Sequence, residues 1–152
     1  MPGPIPMDWK LQIKNFDPKE WLTDFRKVDF ELVKLVDELA SFIKKGYLGA
    51  PAIVHVAYEA SGHTKDSQHY DGKAVDIDFR GVALFDQFMA AERFPFTGIG
   101  VYPFWKNPGL HLDIRDLGGK RCGARWWKDE EGMYQDLNDN LFRILLTCGF
   151  DC

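Results

Sequence analysis

Three residues of this 152-residue chain, His69, Asp76 and His111, have the types and spacing to hold a divalent cation. Two neutral imidazoles and one carboxylate form a ligand set suited to zinc, and three protein ligands leave a fourth position open for water. Water held there has its pKa lowered to about 7 and can attack a carbonyl polarised by the same ion. Taken singly, each residue has a plainer reading, as a solvated strand carboxylate or a hydrogen-bonded structural histidine. The elements that carry them decide between these readings.

From Lys73 to Phe79 the sequence alternates, with Val75, Ile77 and Phe79 on one face of a strand and Ala74, Asp76 and Asp78 on the other. Leu110 to Arg115 repeats the pattern, setting Leu110, Leu112 and Ile114 against His111, Asp113 and Arg115. Both strands therefore turn an apolar face toward a helix layer and gather His and Asp on the opposite face. Two carboxylates on a half-buried strand cost desolvation energy, which a bound cation offsets. Around them, the spacing predicts a helix running from an N-cap at Asp29 to Gly46, a strand over 52–58 and a polar loop over 59–71. It further predicts a helix over 82–93, a short strand over 98–102 and a final helix over 136–147. A turn bearing Pro, Asn and Gly separates Tyr102 from Leu110, so neighbouring strands can pair antiparallel. The expected fold class is α+β: a small antiparallel sheet with helices on one face and the cleft on the other.

Length and a 45% apolar composition fit one domain with a core of its own. We divide the chain into a proline-bearing N-terminal extension, 1–17, and a domain, 18–152. With 19 basic and 23 acidic residues, net charge −4 and no cationic cluster, the sequence argues against nucleic-acid binding. No stretch approaches a membrane span, and the first residues hold no apolar run of the signal-peptide kind. A phage-encoded enzyme, or one held in the cytoplasm until its release to the cell wall, is the expectation, acting as a monomer. Cys122, Cys148 and Cys152 contain no C-x-x-C pair and read as ordinary thiols.

The run Ser67-Gln68-His69-Tyr70-Asp71-Gly72-Lys73-Ala74-Val75-Asp76 resembles the S-x-H-x-x-G-x-A-x-D signature of the LAS metallopeptidases, the D-Ala-D-Ala carboxypeptidase and peptidoglycan endopeptidase group of peptidase family M15. Gly98-Ile99-Gly100-Val101-Tyr102-Pro103 and Leu110-His111-Leu112-Asp113 resemble that group's G-x-G-x-Y-P and H-x-D segments. With Gly62-His63, the same region is also similar to the zinc region of the Hedgehog signalling domain, which shares the fold. The resemblance implies a Hedgehog/DD-peptidase-like fold, Zn²⁺ held by His69, Asp76 and His111, and hydrolysis of amide bonds in peptidoglycan stem peptides or cross-bridges, by carboxypeptidase or endopeptidase action. Its alternative is a non-catalytic, Hedgehog-like zinc-binding interaction module.

Two departures from the peptidase pattern bear on mechanism. Tyr58 is followed by Glu59 where many relatives carry an oxyanion-stabilising Arg, and Trp105, Pro108 and Gly109 supply neither the Glu nor the His that often precedes the last ligand in an E-x-x-H or H-x-H arrangement. The candidates for the missing roles are His63, as oxyanion donor or water-positioning group, and Asp113, as base. Asp113 has a second reading, as the carboxylate that accepts the free ring N–H of His111. Asp78 shares that ambiguity, and Glu59 with Asp66 could bind a second cation. Tyr102, Trp105 and Trp127 are expected on the cleft rim, against substrate.

Overall fold

The computed structural model describes residues 7–21, 25–116 and 123–151. Cys122 and Cys152 lie outside the described residues, as does the side chain of Cys148. Six strands form one sheet in the order β1-β2-β4-β3-β5-β6, comprising Ala52–Val56, Ala74–Phe79, Gly98–Tyr102, Gly109–Asp113, Ala124–Lys128 and Tyr134–Gln135 for β1 to β6. The helices are α1 (Met7–Gln12), α2 (Phe30–Gly46), α3 (Leu84–Ala91) and α4 (Asp139–Asp151). The class is α+β, as the alternation predicts. All pairs are antiparallel except β3 with β5, which run parallel.

Asp29 caps α2, its carboxylate accepting from the Glu31 amide at 2.9 Å. From there Leu32, Val33, Val36, Leu39, Ala40 and Ile43 form a buried stripe. This stripe belongs to the same core as Val75, Ile77 and Phe79 of β2, Ile99 and Val101 of β3, and Leu110 and Leu112 of β4. Residues ahead of Pro18 are tied to that core as well. Trp9, Ile13 and Phe16 are buried in it, and the Asp37 carboxylate of α2 accepts from the backbone amides of Lys14 and Asn15 and from Asn15 Nδ2. Among the described residues, no helix is long and apolar enough to cross a membrane.

Register then fixes the other face. Asp76 lies opposite His111, which lies opposite Gly100, which lies opposite Trp126. One step along, Ala74 faces Asp113, which faces Gly98, which faces Ala124. Small residues alternate with functional ones across the sheet, and this is what lets large polar groups lie flat on it. A Cβ on Gly98 would sit 2.2 Å from the Asp113 carboxylate, and one on Gly100 would sit 2.5 Å from Trp126 Nε1.

The ligand loop is anchored to α2. Ser67 caps a 3₁₀ turn over Gln68–Asp71, Gly72 closes it at φ 66°, and the Gly72 carbonyl accepts the Asp29 amide at 2.9 Å. A Cβ at Gly72 would lie 1.9 Å from the Lys27 carbonyl. Gly72→Ala should therefore cost more than about 1 kcal/mol through backbone strain and the clash together, seen as a lower urea midpoint. An unchanged midpoint would contradict this role.

Candidate metal centre

His69 leaves the 3₁₀ turn with its Nδ1 2.7 Å from the Ala57 carbonyl. That acceptor requires a proton on Nδ1, which places the lone pair on Nε2. Nε2 faces Asp76 Oδ1 at 3.2 Å. Across the strand pair, His111 has the opposite polarity. Its Nε2 lies 2.7 Å from Asp113 Oδ2, so the lone pair falls on Nδ1, 3.1 Å from the same Asp76 oxygen. One carboxylate oxygen and two imidazole lone pairs thus converge, all within 4.8 Å of one another. Three buried acceptors turned toward one point, with both outward N–H groups already committed, fit a cation better than any arrangement of the side chains alone.

The electrostatics agree with the geometry. Burial pushes the Asp76 carboxyl up, but hydrogen bonds and charge from His111 and His69 outweigh it and hold the group down at about 2. Burial likewise opposes ionisation of Asp113, and His111 and Arg115 overcome it, leaving the carboxyl well below the usual range. For His111, burial pulls downward, yet Asp113 and Asp76 raise it above its ordinary value.

Asp113 is fully buried and does not line the cleft. Its carboxylate takes His111 Nε2 on one side and Arg115 on the other, with Nε at 2.9 Å and Nη2 at 2.6 Å. The arginine in turn covers the face of Trp126 at 5.0 Å. His63 is brought to the site: its ring stacks on His69 at 4.5 Å, and its Nε2 meets Glu59 at 3.1 Å. Tyr70 pins that loop, its hydroxyl donating to the His63 carbonyl at 2.7 Å and accepting the His63 amide at 2.8 Å. Glu59 thus faces His63, and Asp66 lines the cleft nearby.

Tyr102 and Trp105 stack at 4.0 Å and 13° along the opposite wall of a cleft of about 1030 Å³. Burial pushes the Tyr102 phenol up, and its oxygen accepts from Trp126 Nε1 at 2.9 Å. Trp127 is the correction: it is buried in the core, and its Nε1 donates to the Asp136 carbonyl at 3.1 Å. The β3–β5 register, which sets Trp126 beside Gly100 and Trp127 beside Val101, directs Trp126, not Trp127, to the cleft. The sequence reading also missed His55, which shares the Asp78 face of the sheet with Ile53 and lines the cleft; the register shift between Val54 and Val56 brings Val56 to that face as well.

Two outcomes test this arrangement. Asp113→Ala should weaken metal affinity by about 10- to 100-fold, since His111 loses the acceptor that fixes its tautomer; competition with a chromophoric chelator measures it, and unchanged affinity would refute the role. In the metal-free protein, the depressed Asp76 stabilises above about pH 4 and that contribution fades as pH falls toward about 2. The raised His111 contributes below its ordinary 6.5, and its share is lost as pH rises through the elevated value. Unfolding temperature in chelator should thus peak between about pH 4 and 6.5. A flat profile from pH 7 to 2 would contradict the network.

With the site described, comparison with known proteins places it. No curated protein matches the chain. Residues 23–121, which include all three converging side chains, match the M15 family model described as "Peptidoglycan L,D-endopeptidase MepK". That match spans most of the chain and agrees with the His-Asp-His cluster, and the protein belongs to this family of M15 peptidoglycan peptidases.

Proposed function

We propose that the domain is a zinc-dependent endopeptidase that hydrolyses an amide bond in peptidoglycan stem peptides or their cross-bridges. The observation that carries this reading is the convergence of His69 Nε2, Asp76 Oδ1 and His111 Nδ1, with the other ring nitrogen of each histidine held by an acceptor. These three would hold the ion. When bound, zinc supplies Lewis-acid polarisation of the scissile carbonyl and acidifies water. Membership of an L,D-endopeptidase family favours endopeptidase over carboxypeptidase action.

The chain's own residues divide the remaining work. Asp113 acts through His111, holding its tautomer and ring plane, with Arg115 neutralising the buried carboxylate. His63, oriented by Glu59 and stacked on His69, positions the attacking water or donates to the oxygen that gains charge. That assignment supplies a group where Glu59 replaces the arginine of related enzymes. Tyr102 and Trp105 offer a flat apolar wall for the peptide.

A second reading rests on Glu59 and Gly109, which stand where many relatives carry catalytic groups: a zinc-bearing module that binds its ligand without turnover. Digestion decides between them. The zinc-loaded protein should release new termini from purified muropeptides, chelator should abolish this, and added Zn²⁺ should restore it. His63→Ala should lower kcat by about 10²- to 10⁴-fold while zinc content stays at one per chain. A fully metallated protein inert toward a muropeptide panel would establish the binding module instead.

A further inference from the structure

One more histidine lies in the cleft, and neither the metal cluster nor His63 accounts for it. His55 lies at the β1 bulge and is about one-third exposed, with its Nε2 hydrogen-bonded to Asp78 Oδ2. Asp78 is buried and is held from the other side by Arg80 Nε at 2.9 Å. His55 Nδ1 has no hydrogen-bond partner among the described residues, and the residue lines the same cleft as His69, Asp76 and His111.

This repeats the arrangement found at the metal. In Asp113-Ile114-Arg115 a strand carboxylate, paired with the arginine two positions on, fixes a histidine Nε2 and leaves Nδ1 for the site. In Asp78-Phe79-Arg80 the same spacing does the same for His55. Arg80 already matches the Asp78 charge, so charge balance does not call for an imidazole there. With Nε2–H given to Asp78, Nδ1 of the neutral ring is an acceptor. Asp78 stands two residues from Asp76 on β2, about 7 Å along the strand. Gly109 of β4 adjoins Asp78 from the other side, where an added Cβ would come 3.2 Å from the Asp78 Cβ. An extended peptide repeats N–H groups on one side at this same two-residue spacing.

Resting on the peptidase reading, we propose that His55 is a substrate-binding residue whose Nδ1 accepts a backbone N–H of the peptide flanking the scissile bond. Asp78 is its positioning residue. His55 contributes to affinity rather than to the chemical step, since it stands a strand step from the reacting atoms.

The test uses the zinc-loaded full chain, a synthetic peptidoglycan stem peptide, and analogues each N-methylated at one backbone amide. KM and kcat are read where cleavage occurs, and Kd by calorimetry in any case. His55→Ala should raise KM and Kd about tenfold, with kcat within about twofold and zinc content unchanged. His55→Gln, which keeps an acceptor, should recover part of the loss. For one analogue, wild type should bind about tenfold more weakly, and His55→Ala should add nothing further. Losses that multiply for every analogue, or an unchanged KM and Kd, would overturn the proposal. Cleavage with KM and Kd unchanged in the His55 variants removes His55 and leaves the peptidase reading standing. A protein that cleaves nothing yet shows the predicted binding pattern removes the hydrolysis and leaves His55 in place.

Discussion

The site depends on a single constraint: Asp76 Oδ1 faces two imidazole nitrogens whose opposite ring atoms are already committed to buried acceptors. Neither ring can turn over without abandoning the Ala57 carbonyl or the Asp113 carboxylate inside the protein, where an unpaired polar group costs about 1–3 kcal/mol. Ring orientation, and the nitrogen each ring turns to the site, are therefore set by the fold before any ligand arrives. Such preorganisation explains why so much of the surrounding structure serves groups that never touch the cleft.

Asp113 shows how far the requirement reaches. A fully buried carboxylate needs donors on both oxygens, which Arg115 and His111 supply, and it needs room, which only a glycine at position 98 leaves. Gly100 does the same for Trp126, and the Trp126 ring then carries Arg115. The G-x-G segment is therefore a packing device: it lets a neighbouring strand's functional side chains lie across it. The apolar faces of the same strands meet α2, so burial of the core and assembly of the cluster are two sides of one register.

Much of this is legible in the sequence because period-two alternation assigns a face to each residue. Val75, Ile77 and Phe79 against Asp76 and Asp78, and Leu110 and Leu112 against His111 and Asp113, place the cluster without any tertiary information. What alternation does not contain is direction and register between distant strands. The β3–β5 register sets Trp126 in the cleft in place of Trp127, and the β1 shift brings Val56 into it beside His55. Asp113 was visible as a functional carboxylate, but its separation from the cleft by His111 follows from side-chain packing alone. The departure at Glu59 likewise acquires meaning only in space, where Glu59 meets His63.

The central claim is that opposite tautomers of the two histidines are built in, so that the metal is taken by His69 through Nε2 and by His111 through Nδ1. Long-range ¹H–¹⁵N correlation spectra of the zinc-loaded, ¹⁵N-labelled protein report this directly, because each ring nitrogen shifts according to whether it carries a proton or a metal. The account predicts a protonated Nδ1 and metallated Nε2 for His69, and the reverse for His111. Finding both rings bound through the same kind of nitrogen, or either ring unshifted by zinc, would contradict it.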